Sequence, residues 1–325
     1  MTHLTRRDFL AASAAMAASY IAGPVLANNY PSRPIRIISP YSPGGGADMV
    51  ARMVAQKLTE TMGWTVIVEN KPGANSMIGA GAVAKGDADG YTLLITDTAH
   101  ATNPAVQPKI AFDTSKDFAP ITLIGSSPQL LVANPSFPAN SLKEMLAFPR
   151  DRVNGSAVGT GGSGSVAHLL SEMLKLKSGI DLVHVPYKGG GAALTDAVGG
   201  QIPLVINSMP AAMPFIEQKR LKVLAIASTA RNPKLPQVQT ISESIPGIVG
   251  SAWYGVLAPA KTPANILQQV NESIAKVLAL PDVKAKLAAS YIDPLPVGPE
   301  AFSKFLTEEI ARWQSVAKQA NIKLD

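Results

Sequence analysis

Hydrophobic and polar positions follow two patterns that alternate along the chain. Short apolar runs of about four to six residues, such as 35–38, have the length of buried strands. Between these runs, apolar residues recur three or four positions apart, as at Val50, Met53, Val54 and Leu58, which is typical of a helix with one buried face. Strands and helices that alternate with short connections predict an α/β protein with doubly wound parallel sheets.

The same two patterns predict the remaining elements. The predicted strands are 65–68, 91–96, 121–124, 129–132, 156–158, 182–185, 204–206, 223–227 and 252–257. The predicted helices start near residue 48 and cover 77–85, 141–148, 165–177, 189–198, 263–278, 282–289 and 299–320. Residues 97–100 are predicted as a loop. We expect 121–124 and 129–132 to be separate strands at a crossing between two domains.

Two glycine-rich turns each join a predicted strand to a predicted helix. The first is Pro43-Gly44-Gly45-Gly46, and the second runs from Gly159 to Ser165. Glycine lets the backbone approach a ligand, and the first N–H groups of a helix lie unpaired at its positive end. Such turns bind anions without a cationic side chain, so we predict that two helix starts hold a small anion between them. A tight turn that only connects a strand to a helix, without binding an anion, would have the same glycine-rich composition.

Residues 1–27 have the pattern of an export signal. Arg6 and Arg7 lie in a twin-arginine pattern, and an alanine-rich apolar stretch follows. Val25-Leu26-Ala27 fits a cleavage site. We therefore expect cleavage near Ala27 and a periplasmic mature protein, exported by either the twin-arginine or the general secretory route.

Composition narrows the function. The chain of 325 residues has no cysteine and a formal charge of +6. It therefore has no disulfide, no catalytic thiol and no zinc site built on cysteine. Its lysines are scattered, which argues against nucleic acid as a partner. The histidines His100, His168 and His184 do not pair at a metal-binding spacing, and no two carboxylates are placed for acid–base catalysis. The two predicted anion-binding turns, together with the lack of residues arranged for catalysis, favour a binding protein without metal or cofactor over an enzyme.

One motif supports a different function. Gly159-x-Gly161-x-x-Gly164 matches the dinucleotide fingerprint between a strand and a helix. That fingerprint requires an acidic residue at the end of the next strand, whereas Asp181 precedes that strand. An exported NAD(P)-dependent oxidoreductase is therefore the alternative prediction.

Several longer motifs give a more specific indication, because they occur in order along the whole mature chain. They resemble the extracytoplasmic solute receptors of tripartite tricarboxylate transporters, the Bug family. The matching segments are 40–48 (PYSPGGGAD), 69–74 (ENKPGA), 89–94 (DGYTLL), 99–104 (AHATNP), 116–120 (KDFAP), 184–189 (HVPYKG) and 253–259 (WYGVLAP).

The resemblance implies a two-lobed periplasmic-binding-protein fold of the Venus flytrap kind, type II-like, with the ligand between the lobes. Lobe I would be 28–124 plus 252–325, and lobe II would be 125–251. The implied ligand is a small carboxylate, the implied partner is a membrane permease with two integral subunits, and the receptor would be a monomer. By position, the implied ligand contacts of lobe I are Tyr41, Ser42, Gly45, Gly46, Ala47, Asp48, Asn75, Ser76, Thr98, Ala99 and His100. Those of lobe II are Gly159, Thr160, Gly162, Ser163, Ser165, His168, Tyr187, Asp196 and Asn207.

The chain departs from the family pattern at two places. Asn75-Ser76 replaces a common Gly-Gly, and Asn207-Ser208 replaces a common Asp-Asn. A carboxylate missing near the ligand removes a partner for a ligand amine and reduces repulsion of a second acid group. We therefore expect a dicarboxylate or an aromatic carboxylate rather than an amino acid. A carboxylate sensor for a signalling partner would have the same sequence features.

Overall fold

The computed structural model describes residues 30–44 and 46–322. The predicted signal segment, its cleavage site and Gly45 lie outside the described residues. The described residues from Pro34 onward, 34–44 and 46–322, form one compact unit. Within the described residues, no helix has both the length and the apolar character needed to cross a bilayer.

The strands are short except for one. They are β1 (Ile35–Ser39), β2 (Val66–Asn70), β3 (Thr92–Asp97), β4 (Phe118–Ala133), β5 (Ser156–Thr160), β6 (Leu182–Pro186), β7 (Leu204–Ser208), β8 (Lys222–Ile226), β9 (Ser251–Pro259) and β10 (Asp293–Val297).

The helices fill most of the connections between strands. They are α1 (Gly46–Met62), α2 (Met77–Ala84), α3 (Ala99–Val106), α4 (Leu142–Ala147), α5 (Arg150–Val153), α6 (Val166–Ser178), α7 (Gly190–Val198), α8 (Met209–Glu217), α9 (Ile241–Ser244), α10 (Ala264–Ala279), α11 (Pro281–Ala289) and α12 (Pro299–Gln319).

Two groups of strands share β4. In the first group, which we call sheet A, β1 pairs in parallel with β2 and β3, and β9 lies antiparallel between β3 and β4. In the second group, sheet B, β5 pairs in parallel with β6 and β7, and β7 lies antiparallel to the end of β4. The edge strands β10 and β8 are antiparallel to the two parts of β4. The predicted parallel pairing therefore holds for β2–β1–β3 and β6–β5–β7, and the other strands make both sheets mixed.

The core of sheet A includes an aromatic group held by one buried acid. Trp253 of β9 packs edge-on against Phe302 of α12, with ring centroids 5.9 Å apart. The Nε1 atoms of Trp253 and Trp313 donate to Oε2 of Glu309 at 3.3 and 3.1 Å. Arg312 pairs with the other oxygen of Glu309 at 2.6 Å. These contacts fix helix α12 to β9. Strand β3, which pairs with β9, carries part of the candidate site.

Some predicted elements were wrong. The two strands expected at 121–124 and 129–132 are one strand, β4, which runs through both sheets. Of the loop expected at 97–100, Asp97 ends β3, Thr98 is the N-cap of α3, and residues 99–100 begin that helix. Helix α8 and strand β10 were not predicted; α8 contains Pro214, and β10 contains two prolines, residues that usually interrupt these elements.

Candidate ligand-binding site

The turn after β1 is braced by one buried carboxylate. Asp48 is 2% exposed. Its Oδ2 accepts from the N–H of Gly44 at 3.0 Å and from Nε of Arg52 at 2.9 Å, and its Oδ1 accepts from Nδ2 of Asn70 at 2.7 Å. These bonds, Arg52 above all, hold the pKa of Asp48 down to about 2. The carboxylate of Asp48 therefore holds the turn, and Gly44 fits there because its φ is +91°.

A second polar group lies beside the start of α1. The hydroxyl of Tyr41 donates to Oδ1 of Asp97 at 2.5 Å, and the same oxygen accepts from the N–H of Ala99 at 2.9 Å. Burial raises the pKa of Tyr41, of Asp97 and of Tyr254. A Cβ on Gly46 would lie 2.3 Å from the Tyr254 hydroxyl oxygen, so Gly46 packs directly on that side chain.

The turn before α2 has an unusual backbone. Ala74, Asn75 and Ser76 have φ values of 47°, 48° and 74°, in the left-handed region that glycine favours. Asn75 donates from Nδ2 to Oδ1 of Asn103 at 2.7 Å, and Asn103 donates back to the carbonyl of Asn75 at 2.8 Å. The positive φ at Asn75 and Ser76 agrees with the glycines that the resemblance places there.

In the turn after β3, two side chains that were predicted as ligand contacts bond to other parts of the protein. Thr98 Oγ1 accepts from the N–H of Trp253 at 3.1 Å, which ties the turn to β9. His100 is 2% exposed, and its Nε2 lies 3.0 Å from the carbonyl oxygen of Thr114. Its ring packs edge-on against Phe118. Burial lowers the pKa of His100 to about 4. The structure therefore gives His100 a role in the core and does not bring its side chain to the other candidate residues.

The second glycine turn, after β5, is held by its own hydroxyl groups. Gly162 has φ +127°, and its N–H donates to Thr160 Oγ1 at 3.3 Å. Ser165 caps α6, because its Oγ accepts from the N–H of His168 at 3.3 Å and donates to the carbonyl of Gly162 at 2.7 Å. The turn is therefore fixed immediately before the start of a 13-residue helix.

Two stacked histidines lie behind this turn. The rings of His168 and His184 are 3.8 Å apart and nearly parallel. Nδ1 of His168 accepts from the N–H of Gly164 at 3.1 Å, so a neutral His168 carries its proton on Nε2. Nε2 of His184 lies 2.7 Å from the Thr160 hydroxyl. Burial lowers the pKa of both histidines to about 4, and both are neutral at pH 7.

The ends of β6 and β7 complete the second group. The hydroxyl of Tyr187 donates to Oδ2 of Asp196 at 2.8 Å. Asn207 lies against the first residue of α7, since a Cβ on Gly190 would be 2.3 Å from its Nδ2. Oδ1 of Asn207 accepts from the N–H of Ser208 at 2.8 Å, whereas Nδ2 is a buried donor without a partner. Such an orphaned donor at the start of a helix is available to an anion.

The predicted residues thus fall into two groups. One lies where β1 and β3 end, and the other lies where β5, β6 and β7 end. Ser42 and Ser163 are exposed in their turns, and Ala47 is buried in α1. The sequence did not predict five further residues that contact these groups: Asn70, Asp97, Asn103, His184 and Tyr254. All of these except Asp97 lie in the segments 69–74, 99–104, 184–189 and 253–259 that carry the resemblance, which could have suggested them.

The fold identifies the class of protein. The chain is similar to the solved structure of R. palustris Rpa4515 with adipate, with a TM-score of 0.81 and 33% identity, over 91% of this chain and all of that one. It is also similar to MatC from Rhodopseudomonas palustris with bound malate, with a TM-score of 0.75 and 30% identity, over 88% of this chain and 99% of that one. The protein is an α/β solute-binding protein with the two-lobed periplasmic-binding-protein fold.

The family follows from the sequence of the same residues. Residues 50–322 match the tripartite tricarboxylate transporter family receptor, TctC. The chain is also 36% identical over 312 residues to protein BugT of Bordetella pertussis, covering 95% of this chain and 96% of that protein. The chain belongs to this receptor family, as its motifs predicted. It is a solute-binding receptor, so the alternative prediction of an oxidoreductase is wrong.

Proposed function

We propose that this receptor captures a small dicarboxylate in the periplasm and delivers it, as a monomer, to a membrane permease with two integral subunits. The two lobes are 28–124 plus 252–325, and 125–251, and they close on the ligand about β4 and β9. The observation that carries this proposal is the pair of glycine turns at Gly44–Gly46 and Gly159–Gly164. Asp48 accepts from the N–H of Gly44 just before α1, and Ser165 donates to the carbonyl of Gly162 just before α6.

Main-chain N–H groups supply the attraction for the acid groups of the ligand. The positive ends of α1 and α6 favour an anion. The cation Arg52 already pairs with Asp48 and donates to Asn70, so its guanidinium is engaged within the protein and does not supply the binding site. Lys188 lies exposed beside the second turn and contributes less to ligand binding than the main-chain N–H groups do.

The second lobe selects the ligand class. Asn207 presents a donor where a carboxylate would repel a second acid group, so a ligand with two acid groups and no amine fits. Two of the similar structures hold diacids, adipate and malate. Both observations favour a dicarboxylate over an amino acid. Aromatic carboxylates are the alternative ligand class and are included in the experiment below.

A thermal-unfolding screen tests the proposal. The purified mature protein is heated with malate, adipate, benzoate, acetate, aspartate and glutamate, and each hit is titrated by calorimetry. A ligand at about 100 times its Kd adds about 2.7 kcal/mol to the free energy of unfolding. We expect this gain with a diacid. Tight binding of aspartate or glutamate, with no response to the amine-free diacids malate and adipate, would contradict the proposed ligand class.

A further inference from the structure

Two N–H groups of the second glycine turn are bonded to side chains. The N–H of Gly162 donates to Oγ1 of Thr160 at 3.3 Å, and the N–H of Gly164 donates to Nδ1 of His168 at 3.1 Å. The N–H of Ser163, which lies between them in the chain, makes no hydrogen bond within the described residues. The peptide groups on both sides of this free donor are therefore fixed.

The start of α6 adds two more free donors. The N–H groups of Val166 and Ala167 also have no partner in the described part of the chain, whereas the N–H of His168 donates to Oγ of Ser165 at 3.3 Å. Unpaired N–H groups at the positive end of a helix attract an anion. Together with the N–H of Ser163, they give the turn three free N–H groups.

The bonds that fix the turn lead to one pair of stacked rings. Thr160 is fully buried, and its Oγ1 lies 2.7 Å from Nε2 of His184 in β6. The ring of His184 lies on that of His168 in α6, with centroids 3.8 Å apart and planes 13° apart. Burial lowers the pKa of both histidines to about 4, so both are neutral at pH 7 and His168 can accept from Gly164.

We propose that His168 and His184 are positioning residues, whose stacked rings hold the second glycine turn so that its three free N–H groups bind an acid group of the ligand. His168 acts through the N–H of Gly164, and not as the direct ligand contact that the resemblance implies. His184 acts through the hydroxyl of Thr160, which in turn accepts from Gly162. This inference rests on the proposed function for its ligand.

Two substitutions at His168 separate its acceptor atom from the rest of the side chain. His168→Leu removes Nδ1, whereas His168→Asn places Oδ1 at the same position, because both atoms are bonded to Cγ. With malate and adipate as calorimetric probes, we expect His168→Leu to raise Kd roughly tenfold, the loss of about one hydrogen bond. His168→Asn should keep Kd within about threefold. The control is His100→Leu, the same replacement at a histidine buried in the core, which should change Kd less than about twofold.

The bond from His184 is tested in the same way. His184→Leu should weaken diacid binding, and His184→Gln should restore much of it, because the terminal amide of glutamine reaches the position of Nε2. Thr160→Val breaks the link between His184 and the turn. Adding His184→Leu to Thr160→Val should therefore change Kd by no more than about twofold.

Amide exchange measured by NMR without ligand gives an independent readout. In the unmodified protein, the amides of Gly162 and Gly164 should exchange more slowly than that of Ser163. His168→Leu should release the amide of Gly164, and His168→Asn should not. If neither diacid binds the unmodified protein, the proposed function fails, while the exchange rates still decide whether the histidines hold the turn.

Three results would overturn the proposal. The first is equally weak diacid binding by His168→Asn and His168→Leu. The second is a further loss when His184→Leu is added to Thr160→Val. The third is an amide of Gly164 that exchanges as fast as that of Ser163 in the unmodified protein.

Discussion

Replacing Gly46 with alanine is the most direct test of a binding site made of main-chain donors. The new Cβ would lie 2.3 Å from the hydroxyl oxygen of Tyr254 and 3.0 Å from its Cζ. Ordinary contact starts near 3.4 Å, so the turn or the ring must move by about 1 Å. Tyr254 is 8% exposed and lies in β9, between β3 and β4. The ring therefore resists the movement, and the start of α1 is displaced.

The expected effect has two parts. Overpacking of this kind costs roughly 1–3 kcal/mol of stability. A displacement of about 1 Å at a preorganised site also moves the binding groups away from the positions that fit the ligand. We therefore expect Kd for malate or adipate to rise at least about tenfold, which corresponds to about 1.4 kcal/mol of binding free energy. Because Lys188 is exposed, Lys188→Ala should raise Kd less than Gly46→Ala does.

Calorimetric titration and thermal unfolding measure the two parts. Adding Tyr254→Phe to Gly46→Ala removes the atom at 2.3 Å and should restore much of the affinity, measured against Tyr254→Phe alone. Gly191→Ala is the matched control, since a Cβ in this first turn of α7 meets nothing within 4 Å. Unchanged binding by Gly46→Ala, no recovery with Tyr254→Phe, or an equal loss from Lys188→Ala would refute the reasoning.

Three other predictions follow from the side chains around the turns. His100→Leu should lower the free energy of unfolding by about 1–3 kcal/mol, because it leaves the carbonyl of Thr114 unpaired, and should leave Kd unchanged; a parallel loss of affinity would contradict the core role. The pKa of Asp48 is lowered to about 2, so its stabilising effect is complete above about pH 4 and is lost as the pH falls toward 2. Urea unfolding should therefore show Asp48→Asn to be roughly 1–2 kcal/mol less stable than the unmodified protein at neutral pH, after allowance for the half-exposed Arg52, and the gap should close in acid; a gap independent of pH would count against it. Asn207→Asp should weaken adipate binding by roughly tenfold while leaving aspartate binding no weaker, and a calorimetric titration showing equal losses for both would contradict the proposed ligand class.

The sequence predicted the elements whose signals are local. The glycine turns before α1 and α6 are each contained in a few neighbouring residues, and both helices start within about two residues of the predicted positions. Strand β4 was divided in two because Gly125 and Pro128 interrupt its apolar run. The register against β9 shifts between Leu123 and Gly125, and Pro128 still pairs in register with Ser251. This pairing depends on the neighbouring strand, which β4's own sequence does not describe.

The loops of the candidate site could be predicted, but the partners of their side chains could not. Tyr41 bonds to a residue 56 positions away, and Thr98 bonds to one 155 positions away. These pairs form only because β1, β3 and β9 are neighbours in sheet A. The same topology sends His100 into the core, although it stands in a motif beside two proposed ligand contacts. Proximity in sequence therefore grouped with the proposed contacts a side chain that the structure buries in the core.

The polar side chains around the proposed site mostly bond to the protein itself. Asp48 holds the first turn, Ser165 holds the second, and Tyr41 bonds to Asp97. A side chain whose bonding capacity is used in this way is not free to bind a ligand, so the proposed donors for an anion are Nδ2 of Asn207 and backbone N–H groups at the helix starts. Ligand affinity in such a receptor should then depend also on residues that never touch the ligand. Asn70, which bonds to both Asp48 and the carbonyl of Tyr41, is the position where a substitution would displace the first turn without entering the site.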